Sequence, residues 1–131
     1  MIVVDSSVWI AHLRGQQTEA RAKLQAIMGN NDGQILVGDL ILLEVLQGAR
    51  DEVTATRIER SLRTYQSATM CDATLAVRVA RNYRLLRERG VTVRKTIDMI
   101  IGSFCIEGNH GLLHDDRDFE PMATFLGLRV V

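Results

Sequence analysis

A chain of 131 residues, 47% apolar and 24% charged, has the size and balance of one soluble domain that buries roughly two-thirds of its unfolded surface. Its longest uncharged apolar stretches fall well short of the roughly 20 residues that span a bilayer, which excludes a membrane-crossing helix. A formal net charge of zero argues against retention on nucleic acid by bulk electrostatics alone.

Ile2 to Val4 is a short β-branched run, the pattern of a strand buried on both faces, and it ends on Asp5. Ser6 or Ser7 is expected to cap a helix that continues through Val8, Trp9, Ala11, His12 and Leu13 and stops at Gly15. A second helix is predicted from Thr18 to Met28, with Ala20, Leu24, Ile27 and Met28 inward, and residues 29–33 read as a loop. Ile35 to Val37 predicts the next buried strand. Asp39 is expected to cap a helix from Leu40 to Gln47, stopped by Gly48, and another helix covers Glu52 to Tyr65.

A brief strand is predicted over Thr69 to Cys71. The long helix from Ala73 to Arg89, closed by Gly90, places Leu75, Ala76, Val79, Ala80, Tyr83 and Leu86 on its buried face. Thr96 is expected to cap a helix through Ile106 that ends at Gly108. Leu112 to His114 reads as the last buried strand, running into Asp115, Asp116, Arg117 and Asp118, and Leu128 to Val131 as a terminal edge strand.

Short apolar strands alternating with helices predict an α/β fold, a three-layer α/β/α sandwich around a mainly parallel sheet. No repeat or proline-rich linker divides the chain, so residues 1–131 are read as one domain. The start has no basic n-region and meets an acid at Asp5, so no secretory signal is expected and the protein is read as cytoplasmic. Cys71 and Cys105 lie in apolar surroundings without zinc or redox spacing and are expected to be reduced core thiols.

Charge is segregated. Residues 51–95 carry nine Arg and one Lys against five acids, a net +5 that leaves −5 for the rest. Within that window Arg78, Arg81, Arg84 and Arg87 recur every three residues, which reads as a solvated helix face or as a track for RNA phosphates.

The acids carry the chemistry. Ligands of open parallel sheets bind beyond the carboxyl ends of strands, and Asp5 and Asp116 both lie just past strand ends. Glu44 interrupts a helix that is apolar on almost every side, where a charged glutamate is rarely buried without a partner. Asp98 opens an otherwise apolar helix, and Asp115, Asp116 and Asp118 crowd one strand end. Each also has an ordinary structural reading: a cap for Asp5, an exposed face for Glu44, a favourable helix dipole for Asp98 and a solvated turn for the last three. Brought to one sheet edge, three or four carboxylates would meet without a matching set of His or Cys, and hard oxygen ligands select Mg²⁺ or Mn²⁺. A carboxylate-held Mg²⁺ suits phosphodiester hydrolysis.

Four segments then come together: Met-Ile-Val-Val-Asp-Ser-Ser-Val-Trp-Ile at the start, Leu-Leu-Glu-Val-Leu-Gln-Gly-Ala in the middle, Thr-Ile-Asp-Met-Ile-Ile-Gly and finally Leu-Leu-His-Asp-Asp-Arg-Asp-Phe. In that order, over almost the whole chain, they resemble a VapC-type PIN domain. The resemblance implies a PIN-like fold and a Mg²⁺-dependent endoribonuclease, with Mn²⁺ as a substitute. It implies the toxin of a type II toxin–antitoxin module, held by a VapB-like antitoxin and homodimeric within a larger complex. Asp5 and Asp98 then correspond to the principal metal ligands, Glu44 to the acid that orients water at the metal, and Asp116 to the fourth acid, also a metal ligand.

Asp116 is preferred to Asp118 for that last place, and Asp115 is expected to face elsewhere. Ser6 and Ser7 match hydroxyl positions of the pattern and either brace an acid or cap the helix. His12, His110 and His114 are read as structural, His114 at most near the site. Trp9 and Leu13 are core residues or line a groove for a partner helix. Two competing functions are an inactive RNA-binding or scaffold PIN domain, and a phosphatase or phosphotransferase with Asp5 as nucleophile. The latter lacks the second acid or Lys at short spacing that such chemistry uses.

Overall fold

The computed structural model describes residues 1–131, apart from the side chains of Asn31 and Asp32. Five strands, β1 (Ile2–Val4), β2 (Ile35–Gly38), β3 (Gln66–Ala68), β4 (Gly111–Leu113) and β5 (Arg129–Val130), form one sheet in the order β3-β2-β1-β4-β5. Every pairing among them is parallel, where the sequence predicted a mainly parallel sheet. The three central strands are continuously apolar because helices cover both faces: Val3, Val4, Ile35, Leu36, Val37, Leu112 and Leu113 are all buried.

The helices are α1 (Ser6–Leu13), α2 (Glu19–Asn31), α3 (Asp39–Gln47), α4 (Glu52–Leu62), α5 (Ala73–Glu88), α6 (Thr96–Glu107) and α7 (Glu120–Leu126). Packing divides them into two groups, α1 against α2 and α3 with α4 beyond, and α5 against α6 and α7. The result is the α/β/α sandwich. Strand order runs outward from β1 to β2 and β3 on one side, then restarts with β4 and β5 on the other. That reversal opens a crevice at the carboxyl ends of β1 and β4, where the register sets Val4 level with Leu113. Gly102 of α6 faces Met122 of α7, and a Cβ there would force the Met122 thioether to shift.

Several local expectations are corrected. The strand expected over 69–71 lies at Gln66–Ala68, where ladder pairing to Leu36–Gly38 outweighs weak propensity, while Met70 supplies the apolar signal by burying in the core. The fourth helix ends at Leu62 rather than Tyr65, and the last core strand ends at Leu113, leaving His114 beyond it. Of the loop expected over 29–33, Asn31 and Asp32 lie outside the described side chains, while Gly29 and Asn30 belong to α2 and Gly33 to a 3₁₀ turn, Asp32–Gln34.

The caps differ too. Asp5 rather than a serine caps α1, accepting the Ser7 N–H at 3.1 Å. Gly38 precedes α3, and Asp39 sits inside its first turn, where one carboxylate oxygen accepts the N–H groups of Leu40 and Met70. Lys95, not Thr96, precedes α6. Cys105 is buried as expected, but Cys71 is exposed. Ala76 and Ala80 are exposed as well, because α5 packs on α6 and α7 rather than on the sheet and meets the core along a narrow line through Val79 and Leu86. Among the described residues no helix is long and apolar enough to cross a membrane.

Candidate metal centre

Asp5 leaves β1 at the crevice, its backbone N–H donating to the Leu113 carbonyl at 2.9 Å, so the chain after β1 is tied to the end of β4. One oxygen of its carboxylate accepts from both the backbone and the hydroxyl of Ser7. The other is buried with no hydrogen-bond partner. Asp98, in the first turn of α6, is 4% exposed and also keeps one buried oxygen without a partner. Two buried carboxylates with an unpaired oxygen each are costly unless neutralised by protons or by a cation.

Beyond β4 the chain turns through a 3₁₀ segment, Arg117–Phe119, capped by Asp116, whose carboxylate accepts the Asp118 N–H at 2.9 Å. His114 fixes this turn from below, its Nδ1 accepting the Asp116 N–H at 3.1 Å while its ring packs on buried Phe119. Asp98, Asp116 and Asp118 each offer a carboxylate oxygen within 4.8 Å of the other two. Oxygens around one Mg²⁺ at about 2.1 Å lie at most about 4.2 Å apart, a span close to this one. Asp115 is exposed. Its backbone N–H reaches the Ser7 hydroxyl at 3.2 Å, linking the turn back to α1.

Glu44 lies on α3, half-buried, with one oxygen accepting the Ser6 hydroxyl at 3.1 Å. Its helix is not apolar-buried all round, since Leu43 is 53% exposed. Both serines therefore brace acids, Ser7 holding Asp5 and Ser6 holding Glu44, and neither is the helix cap. Sequence reasoning read His114 as structural and at most near the site, which is where it lies. Its signal was positional, two residues before Asp116 in a turn.

The electrostatics join what the shortest distances separate. Asp5 stands outside the trio whose oxygens fall within 4.8 Å, yet it lies in the same field as Glu44, Asp98 and Asp116. Burial, followed by the charges of Asp5 and Asp116, pushes the Asp98 carboxyl up to about 7. Burial also raises Asp5 against the lowering influence of Ser7, and raises Glu44 against that of Ser6. All three shifts have the sign expected where carboxylates crowd together without a counter-ion. An all-oxygen donor set, two buried unpaired oxygens and mutual repulsion fit a small hard cation such as Mg²⁺ or Mn²⁺ and offer nothing for a soft metal.

Comparison with known proteins identifies the family. A family profile described as PIN domain matches residues 2–124. VapC ribonuclease Mb1587 of Mycobacterium bovis and ribonuclease VapC11 of Mycobacterium tuberculosis are each 30% identical over 129 residues, covering 98% of this chain and 96% of theirs. Among solved structures, VapBC2 from Rickettsia felis bound to a promoter DNA fragment superposes with a TM-score of 0.77 at 15% identity, covering 100% of this chain and 98% of that one. VapC20 of Mycobacterium tuberculosis, described as a sarcin-ricin loop cleaving toxin, superposes at 0.69 with 16% identity, covering 98% and 99%. At such identities the structures speak for the fold, while the family profile and the mycobacterial relatives speak for descent: the chain belongs to the PIN domain family, within its VapC group.

Proposed function

We propose that residues 1–131 form a single-domain, Mg²⁺-dependent endoribonuclease, the toxin of a type II toxin–antitoxin module, working through Asp5, Glu44, Asp98 and Asp116. The observation that carries the reading is the pair of unpaired buried oxygens of Asp5 and Asp98 at the β1/β4 crevice. The VapC ribonuclease names of the relatives support the substrate class, RNA, and a cytoplasmic setting is proposed with it.

In this mechanism Asp5, Asp98 and Asp116 would hold the ion, and Asp118, whose carboxylate lies within 4.8 Å of those of Asp98 and Asp116, is close enough to share the place of Asp116. A bound Mg²⁺ would supply Lewis acidity to the scissile phosphate and acidify the attacking water. Glu44, anchored by Ser6, orients that water and takes its proton. Ser7 keeps the Asp5 carboxylate from turning away, and His114 holds the Asp116 backbone in place. The exposed Arg78, Arg81 and Arg87 on α5 would offer phosphate contacts along the approaching strand, while Arg84 borders the apolar face between α5 and α6.

Incubation of purified protein with RNA and with a phosphomonoester, each with and without Mg²⁺, tests the reading. RNA cleavage that needs the metal is expected, with no phosphomonoester turnover. Metal-dependent phosphomonoester hydrolysis alone would mean a phosphatase, and RNA binding without cleavage a scaffold. In the same assay Glu44→Gln is expected to lose activity by about 100-fold, the scale of a positioned acid or base, while binding Mg²⁺ better than Asp98→Asn. Equal loss of Mg²⁺ affinity in calorimetric titration would make Glu44 a ligand.

A VapB-like antitoxin is the proposed partner, and an apolar groove between α1, α3 and α4 is its proposed seat. Ile10, Leu13, Val45 and Ile58 line the groove, with Arg50 and Arg57 beside them. Trp9, by contrast, is 2% exposed and belongs to the core. A second copy of the chain is the proposed occupant of another apolar face, where Ala76, Ala80 and Tyr83 of α5 meet Met99 and Ile100 of α6. Without metal the acid pocket invites a bidentate arginine from the antitoxin tail. Replacing that basic residue with Ala is expected to weaken inhibition and to abolish its competition with Mg²⁺. Inhibition that is unchanged by the substitution and indifferent to excess metal would refute pocket occupation.

A further inference from the structure

Four acids explain how an ion is held but leave a problem for the substrate. A phosphodiester brings another negative charge to a pocket whose carboxylates already outweigh one divalent ion. Some cation of the chain has to meet it. Lys95 is placed for this. It precedes α6 at the same end of the fold, and its carbonyl accepts the N–H of Asp98 at 3.2 Å, which sets the two residues one turn apart. Its side chain is exposed, and among the described residues its ammonium makes no ion pair and no hydrogen bond. Its positive charge opposes the upward shift that burial imposes on Asp98 of α6 and on Glu44 of α3.

We propose that Lys95 is the phosphate-binding residue of the site, an unpaired ammonium at the rim of the acid crevice that takes a non-bridging oxygen of the RNA backbone as the strand settles over Asp98. The inference rests on the ribonuclease reading and adds to it a residue that touches substrate. Its long stem lets the charge sit over the pocket without being drawn into a fixed pair, and a compact ammonium suits a single phosphate oxygen. Lys95 also has a cost for the protein, because its charge repels the ion that the acids hold. Substrate binding and metal binding therefore respond to Lys95 with opposite signs.

That opposition gives the test. Lys95→Gln is expected to lower kcat/KM for a short RNA by about 10- to 100-fold, the usual loss for a hydrogen bond to a charged group, with most of the change in KM. Its RNA affinity, measured by fluorescence anisotropy in Ca²⁺, should show a log–log salt slope shallower by about 0.7, one phosphate contact on a single strand. Mg²⁺ binding, followed by thermal shift without RNA, should tighten by roughly threefold or more as the repelling charge is removed. Lys95→Arg should restore RNA affinity and the salt slope. A lysine that only neutralises the acids would tighten Mg²⁺ on removal but leave KM and salt slope unchanged, and that result overturns the proposal. Wild-type protein that cleaves no RNA sinks the ribonuclease reading and this inference together, whereas wild-type cleavage with Lys95→Gln within twofold sinks this inference alone.

Discussion

Asp98→Asn is expected to lower RNA cleavage by at least about 100-fold, beyond the 10- to 100-fold typical of losing an outer partner of a metal ligand, and to make the metal-free protein more stable at pH 8. The two effects share one cause. Asp98 is buried, keeps an unpaired oxygen and lies in the fields of Asp5, Asp116 and Glu44, so its charge is unfavourable until an ion arrives. Asparagine keeps the volume, removes the charge and adds a donor that a neighbouring carboxylate can accept. Thermal unfolding with and without Mg²⁺, beside a cleavage assay, reads both: a raised midpoint without metal and almost no gain when metal is added. Asp5→Asn should lose cleavage equally but gain little stability, because the backbone and hydroxyl hydrogen bonds from Ser7 already favour the charged form of Asp5. A variant of Asp98 that cleaves at the wild-type rate under limiting Mg²⁺, or that unfolds well below wild type without metal, would contradict the assignment.

Metal-free protein is expected to lose stability as pH rises from about 4 to about 7, and saturating Mg²⁺ to reverse that trend. The folded state holds the Asp98 proton up to about 7, whereas a free aspartate releases it near 3.8. Across that interval the folded state carries more protons than the unfolded chain, so raising pH favours unfolding until both forms have ionised. Asp5 and Glu44 are shifted in the same direction and add to the effect. An ion needs the carboxylates deprotonated, so its affinity climbs through the same window. Metal at about 100 times its dissociation constant adds about 2.7 kcal/mol, which moves the midpoint by on the order of 5–10 °C for a domain of this size. Unfolding scans from pH 4 to pH 8 with EDTA or with millimolar Mg²⁺ check both halves. A metal-free midpoint that rises steadily to pH 8 would mean that the acids are not crowded.

Much of this was legible in the chain because the signals are local. The β-branched run Ile2 to Val4 ending on Asp5, and Leu112-Leu113 ending before the acids, mark strands buried on both faces by composition alone. Position just past a strand end then makes an acid a site candidate before any contact is known. Asp98 was legible for the same reason, as the only acid in a helix whose other residues are apolar or small until Glu107. Edge elements were less legible. Gln-Ser-Ala of β3 has no strand propensity to speak of, and its pairing to β2 is decided by the ladder rather than by its side chains.

Tertiary structure alone decided the rest. Periodicity along α5 assigns Ala76 and Ala80 to a buried face, but only the packing of α5 on α6 and α7 shows that this face is left open. A serine next to Asp5 has the chemistry of a cap, and only the approach of α3 turns the Ser6 hydroxyl toward Glu44. The closeness of Asp118 to Asp98 depends on the strand-order reversal between β1 and β4. Sequence determined which residues could carry charge at a strand end, because alternation and capping are written within a few neighbouring positions. Which of those charges share one pocket is a property of pairs far apart in the chain, and it exists only once the sheet register has brought β1 and β4 side by side.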